Sequence, residues 1–375
     1  MSRLVPEVDP DGLLEYSVVF NDRSLNHMSA RFQQVMRDIS STLGEVYGAA
    51  AVAVIPGGGT WAMEAVARQF GGAGRSLVLR NGWFSYRWSQ ILEMAGMAGD
   101  TEVLKARPVE QGPQPSWAPA PLEEVLETIR TQRPEVVFAP HVETASGMVL
   151  PEEYIEAVGR AVGEHDGLFV LDCVASGALR VDMQRCHVDV LISAPQKGWS
   201  AWPCAGLVML SERARERTLA TTSSSFAADL RRWLGIMQAY ENGGHAYHAT
   251  MPTDALAVFR DTMLETCEEG LEWLGERQWT LGGRVRELLS GYGFRSVAAE
   301  GFAAPGVVVC HTTEEALHRG SAFAEQGLQT AAGVPLMCDE PEDFRTFRVG
   351  LFGLEKLRNV DRTVDLLDRA LKAIV

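Results

Sequence analysis

A lysine and an aspartate, each at the end of an apolar run, are the residues of this sequence best placed for covalent and electrostatic chemistry. Lys197 stands in Ser193-Ala194-Pro195-Gln196-Lys197-Gly198, directly after the run VDVLISA. An amine held at the edge of a core has its charged form disfavoured, so part of it is neutral and able to attack an aldehyde. A solvated loop lysine fits the same position. Asp172 ends the run GLFVLD. A carboxylate there is costly unless a cation or donor meets it, and a protonated pyridine nitrogen supplies both. An Asp that merely caps the following turn is the alternative.

Pro56-Gly57-Gly58-Gly59-Thr60 follows another apolar run and opens a helical pattern. The amides of Gly58, Gly59 and Thr60 would point at an anion placed there, phosphate being the natural guest, and the Thr60 hydroxyl adds a donor. A tight turn with a threonine cap fits equally. The spacing is not GxGxxG followed by a ribose-binding acid, which weakens a dinucleotide reading. His141, Glu143, Thr144 and Ser146 lie in HVETASG after the run EVVFAP, where hydroxyls could reach a ligand oxygen or simply bond the turn. In Asn81-Gly82-Trp83-Phe84-Ser85 either aromatic can stack on a flat ring or pack in the core. Tyr247 and Thr250 form a polar cluster in YHATMP, with Pro252 opening the next helix. Arg348, in FRVGLFG, sits between apolar neighbours and needs a carboxylate, internal or from a substrate. Arg23, His27, Arg87 and His248 could flank such a site, although solvation is the ordinary fate of surface residues of these types.

The elements that must position these residues are legible in the spacing. AAVAVIP, SLVLRN, EVVFAPH, GLFVLD, VDVLISA and GLVML read as short strands. AMEAVARQF, LEEVLETIRTQ and PEEYIEAVGRAV between them have helical spacing. Alternation of this kind predicts an α/β domain with a mostly parallel sheet between helices, and ligands at the edge where strands end and helices begin. Beyond about residue 255 the pattern changes to two long helical stretches, ALAVFRDTMLETCEEGLEWL and ERQWTLGGRVRELLSGYG. APGVVVCH, EEALHRGSAFAEQG, FRTFRVGLFG and a last helix follow, which predicts a smaller α+β domain. The expected division is an N-terminal arm over 1–25, a large domain over 26–268 and a small one over 269–375.

The chain has 375 residues, 46% of them hydrophobic and 22% charged, the balance of a compact globular protein. A formal net charge of −15 repels polyanions, which argues against nucleic acid and anionic membrane as partners, so an anionic ligand needs a locally built positive site. No apolar run is long enough to span a bilayer and the first residues do not read as a secretion signal, so a cytoplasmic protein is expected. Six cysteines without CxxC pairs suggest reduced thiols and no cysteine metal site.

In their order along the chain, GGGTWAMEA, NGWFSYRW, HVETASG, LDCVAS, APQKG and FRVGLFG resemble the class V aminotransferases of the fold-type I pyridoxal-phosphate enzymes, in particular the alanine–glyoxylate and serine–glyoxylate branch. The resemblance runs from about residue 27 to the end. It implies pyridoxal 5'-phosphate as cofactor, Lys197 as its Schiff-base lysine and Asp172 as partner of the pyridinium. It further implies that Gly58, Gly59, Thr60 and Gln196 hold the phosphate, that Phe84 stacks on one face of the ring and Val174 packs on the other, and that Thr144 approaches the phenolic side. Tyr247 and Thr250 match positions that reach the phosphate of a neighbouring subunit, implying a homodimer with shared sites, and Arg348 matches the arginine for the substrate carboxylate. The activity implied is ping-pong transfer of an amino group from a small amino acid to a 2-oxo acid such as pyruvate or glyoxylate. The sequence departs from the family where FNDRSLNHMS replaces a Pro-Gly-Pro opening, at Ala145, and at Trp202-Pro203-Cys204-Ala205. Substrate identity therefore stays open.

Three other readings remain. A pyridoxal-phosphate lyase or desulfurase uses the same lysine, but a desulfurase typically carries His-Lys where this chain has Gln196-Lys197, and it needs an activated cysteine. A nucleotide-binding dehydrogenase leaves Lys197 and Arg348 without a task. A non-catalytic binding module could retain the fold.

Overall fold

The computed structural model describes residues 13–72 and 74–375, so the first twelve residues of the expected N-terminal arm lie outside the described ones. Seven strands form the central sheet: β1 (Ala51–Pro56), β2 (Ser76–Arg80), β3 (Thr101–Lys105), β4 (Val136–Pro140), β5 (Leu168–Asp172), β6 (Val190–Ser193) and β7 (Ala205–Leu210). Their spatial order is β1-β7-β6-β5-β4-β2-β3, parallel throughout except that β7 runs antiparallel to both neighbours. Strands β2, β4, β5, β6 and β7 are buried along their whole length, the signature of a sheet covered on both faces.

All six runs expected to be strands are strands. The sequence reading missed β3, whose residues TEVLK include two charges and stay partly exposed, because an edge strand buries too little to need a continuous apolar run. It also missed the helix α1 (Ala30–Tyr47), although the determinants are present. Ser29 accepts a hydrogen bond from the Phe32 amide, Gly48 ends the helix at φ +68°, and Phe32, Val35, Met36, Ile39 and Leu43 form its buried stripe.

The consequence of parallel pairing is that strand ends converge. Asp172, the last residue of β5, is in register with Pro140 on β4 and with Ile192 on β6. The segments carrying His141–Gly147, Asp172–Ser176 and Lys197 therefore leave the sheet at one edge. The turn after β1 joins them through a hydrogen bond from the Gly57 amide to the Cys204 carbonyl, 3.0 Å.

A second, antiparallel sheet contains β8 (Val307–His311), β9 (Ala331–Ala332) and β10 (Thr346–Gly350), with β10 in the middle. Its core is shared with the helices Leu271–Gly291 and Val360–Ile374 through Leu274, Leu281, Val285, Leu289, Leu367 and Leu371. The two long helices read from sequence exist, but their boundary is corrected. ALAVFRDTMLETCEEGLEWL is interrupted at Gly270, which at φ +93° cannot continue a right-handed helix, so one helix ends at Glu268 and the next begins at Leu271. EEALHRGSAFAEQG forms two short helices, Glu315–His318 and Ser321–Glu325, separated at Gly320, φ +77°.

Candidate active site

The glycine turn after β1 leads into the helix α2 (Gly59–Phe70). No side chain caps its start, and among the described residues the amides of Gly58, Gly59 and Thr60 have no acceptor. Such a helix start is an anion cradle with its donors free. A Cβ on Gly58 would meet nothing within 4 Å, whereas one on Gly59 would fall 2.6 Å from Cγ2 of Val174. Glycine at 59 thus lets the first turn of α2 close onto the residue two beyond Asp172. Gln196 adds a second sign of a missing guest: its Oε1 is buried without a hydrogen-bond donor.

Asp172 is 8% exposed. Its Oδ1 accepts from the Val174 amide at 2.9 Å, and Oδ2 has no donor among the described residues. Burial pushes this carboxyl up to about 6 from an ordinary 3.8; the Val174 hydrogen bond, Lys197 and Arg87 pull it down, and Glu143 adds to the rise. Lys197 lies in the short helix Pro195–Gly198, with Nζ 5.8 Å from the centre of the Phe352 ring. Burial lowers its pKa, the carboxylates of Asp172 and Glu143 oppose that, and the guanidinium groups of Arg87 and Arg348 reinforce it. The lysine and aspartate singled out in the sequence thus share one electrostatic environment.

Phe84 lies in the first turn of the helix α3 (Trp83–Met94). The start of α3 is held by a buried carboxylate, Glu143, 1% exposed. Its Oε2 accepts from the Ser85 amide and hydroxyl, each at 2.8 Å, and its Oε1 from the Phe84 amide at 3.3 Å and the Ala145 amide at 2.9 Å. A negative charge at a helix N-terminus is favourable, and this one also ties Phe84 to the segment bearing Thr144. Thr144 is buried, with its hydroxyl unpartnered among the described residues. His141 is a packed histidine: Nδ1 lies 2.7 Å from the Ser176 hydroxyl and burial lowers its pKa to about 4. Ser146 keeps a buried Oγ without a partner.

Arg348, on β10, brings the second sheet into the site. Its Nε donates to the Ala332 carbonyl at 2.7 Å, Nη1 reaches the Thr144 carbonyl at 3.5 Å, and its guanidinium carbon lies 5.5 Å from the Phe84 ring centre. No carboxylate pairs with it among the described residues, and burial lowers its pKa. An unpaired, half-buried guanidinium beside a lysine is a receptor for an anionic group.

Gly58, Gly59, Thr60, Phe84, Thr144, Asp172, Val174, Gln196, Lys197 and Arg348 therefore all lie at one sheet edge or reach into it. Tyr247 and Thr250 do not join them. They bond to each other at 3.1 Å between hydroxyls, Tyr247 is 53% exposed, and its ring neighbour is His27 at 5.5 Å. Two residues of the site were undervalued in the sequence. Glu143 was one polar residue among four in HVETASG, and its role becomes visible only when α3 is seen to start against it. Arg87 was one of four possible flanking residues; the NGWFSYR spacing places it one helical turn after Phe84, a signal that could have raised it.

A pyridine nitrogen facing Asp172, a phosphate on the free amides of α2 and an aldehyde at Lys197 would satisfy the unpartnered groups described, so the residues present fit pyridoxal phosphate. Comparison with known proteins points the same way. Residues 13–259 match the family described as aminotransferase class-V. The chain is 27% identical to the alanine–glyoxylate aminotransferase of Callithrix jacchus, over 93% of this chain and 82% of that one. It is 26% identical to the 2-aminoethylphosphonate–pyruvate transaminase of Pseudomonas fluorescens, over 91% and 89%. Its fold is like that of the alanine–glyoxylate aminotransferase of Nostoc sp., with a TM-score of 0.76 at 23% identity, covering 92% of this chain and 88% of that one.

Proposed function

The chain belongs to the class V aminotransferase family, fold-type I pyridoxal-phosphate-dependent transaminases, and from that premise we propose that it moves an amino group from a small amino acid to a 2-oxo acid such as pyruvate or glyoxylate, in a ping-pong cycle. The observation that carries the proposal is a half-buried lysine, its pKa depressed, sharing a site with a buried aspartate whose Oδ2 awaits a donor. Bound pyridoxal phosphate supplies a carbonyl that captures amines and a protonated ring that accepts electrons released at the substrate Cα.

The residues' roles follow from their surroundings. Asp172 would hold a proton on the ring nitrogen, because a buried carboxylate is most stable beside a cation. Lys197 would hold the cofactor through its Nζ, the half-buried amine of the site. The same Nζ would take the proton from the substrate Cα, a task that a depressed pKa favours. Gly58, Gly59, Thr60 and Gln196 would hold the phosphate, Phe84 and Val174 would pack against the ring, and Thr144 would offer its hydroxyl to the cofactor. Arg348 binds the substrate carboxylate and so orients Cα.

Tyr247 and Thr250 complete the phosphate site of a second copy in this reading, which makes the protein a homodimer with shared active sites. Supporting it are their exposed position and the exposed aromatics Trp61, Trp202 and Phe226. A division into 26–268 and 269–375 behind the 1–25 arm is supported by the helix break at Gly270. A cytoplasmic location agrees with six free cysteines, five of them buried, and no described helix is long and apolar enough to cross a membrane. The desulfurase alternative gains nothing: burial pushes the thiols of Cys310 and Cys338 up to about 12, which leaves no thiolate at neutral pH.

The test is the visible spectrum of the purified protein with Lys197→Ala as control, during addition of alanine, serine and 2-aminoethylphosphonate. One donor should bleach the yellow band, and pyruvate or glyoxylate should restore it. A protein that takes up no pyridoxal phosphate refutes the reading, and one that releases ammonia without storing the amino group is a lyase.

A further inference from the structure

Arg87 is the cation of the site that the reading above leaves without a role. Its Nη1 donates to the Thr60 hydroxyl oxygen at 2.9 Å, and its guanidinium carbon lies 4.7 Å from the centre of the Phe84 ring. Half-buried, it has no carboxylate partner among the described residues. The acid nearest in sequence to Thr60, Glu64, is paired with Arg68. A guanidinium kept from carboxylates, braced on an aromatic ring and bonded to the first turn of α2 is pre-set for an oxyanion.

The location selects which oxyanion. A phosphate carries up to two negative charges, and a helix N-terminus offers about half a unit of positive charge. Gly58, Gly59, Thr60 and Gln196 are neutral. A chain with a net charge of −15 supplies no background attraction. Because the Thr60 oxygen accepts from Arg87, its own O–H is left to donate elsewhere, and the free amides at Gly58 and Gly59 mark where.

We propose that Arg87 is a phosphate-binding residue of this active site, neutralising the cofactor phosphate directly and orienting the Thr60 hydroxyl toward it. The proposal rests on the pyridoxal-phosphate reading. The rival source of an oxyanion is a distal acidic group of the substrate, since Arg348 lies against the same Phe84 ring.

The experiment titrates cofactor-free full-length protein with pyridoxal 5'-phosphate and, separately, with pyridoxal, which has the same ring and aldehyde but no phosphate. Binding is followed by the visible band and by tryptophan fluorescence. Arg87→Gln should weaken pyridoxal 5'-phosphate by roughly tenfold to hundredfold, the range of a charge-assisted hydrogen bond, and leave pyridoxal within about twofold. Arg87→Lys, which keeps the charge but not the fork, should fall between. Equal loss for both ligands would make Arg87 merely structural and overturn the proposal. Unchanged cofactor binding, with a selective KM increase for donors bearing a second acid, would overturn it in favour of the substrate. Wild-type protein that binds neither ligand fails the function reading itself, and is recognised before any variant is compared.

Discussion

Without its cofactor the protein should be stabilised by removing the charge of Asp172. The folded state raises this carboxyl from 3.8 to about 6, chiefly by burial, so folding favours the neutral acid. The sign follows from proton counts. Between the two values the folded chain binds more protons than the unfolded one, and stability falls as pH rises through that window. Below it both states are protonated and the penalty is absent; above it the penalty is complete. A difference of about 2 units corresponds to about 3 kcal/mol. Asn in place of Asp escapes this cost and keeps an Oδ1 to accept from the Val174 amide.

Urea unfolding of cofactor-free wild type and Asp172→Asn, at one protein concentration and at pH 5, 6, 7 and 8, reads the effect directly. The variant should be ahead at every pH, by a margin that grows up to about pH 6 and then levels near 3 kcal/mol. With pyridoxal phosphate bound the margin should shrink or vanish, because the aspartate gains a cationic partner that asparagine cannot match, a gain of about 1.5–3 kcal/mol. A margin independent of pH, or a variant less stable than wild type at pH 7 without cofactor, would refute the claim that Asp172 is an uncompensated buried charge awaiting its partner.

Glu143→Ala leaves three backbone amides without their acceptor, while the Ser85 hydroxyl keeps the Gly82 carbonyl; it should cost about 3–5 kcal/mol of stability, read as a lower thermal midpoint of the cofactor-free protein. Gly59→Ala places a methyl 2.6 Å from Val174, so cofactor affinity should drop about tenfold or more in a spectroscopic titration, and Gly59→Ala with Val174→Ala should recover most of it; no recovery would locate the clash elsewhere. Arg348→Met should raise KM for amino-acid donors by about tenfold to hundredfold while the visible spectrum of the resting enzyme stays unchanged, and an unaltered KM would remove it from carboxylate recognition.

Much of this site was legible in the sequence because burial writes itself into composition. The strands that end at Asp172 and just before Lys197 are fully buried, so they read as unbroken apolar runs, and the polar residue at each end stood out against them. Gly59 was legible as part of a glycine run that opens a helical pattern, whereas its close approach to Val174 was not. What escaped depends on contacts between segments far apart in the chain. Glu143 caps a helix sixty positions earlier, and nothing local in HVETASG distinguishes it from Thr144 or Ser146. Arg87 reads as a solvated helix residue until the turn carrying Thr60 is folded against it. Gly270 could have been heeded as a breaker, but the apolar spacing on either side continues across it, and periodicity outweighed punctuation.

The ionisable groups of the site show how the fold stores its capacity to react. Burial raises the pKa of Asp172 and lowers those of Lys197 and Arg348, so each is pushed toward the form with less charge. Mutual pairing could have relieved this strain, and it is only partial: Lys197 and Asp172 attract one another, but no ion pair at contact distance joins them, and Arg348 bonds carbonyls instead of a carboxylate. Glu143 could have neutralised either cation, yet its oxygens are consumed by the start of α3. Committing that carboxylate to backbone amides keeps Arg348 available for an incoming anion and leaves the charged form of Lys197 disfavoured by burial. The site therefore gives up stability in its unliganded form, and that deficit is what a ligand with a basic ring nitrogen, a phosphate and a carboxylate would remove on binding.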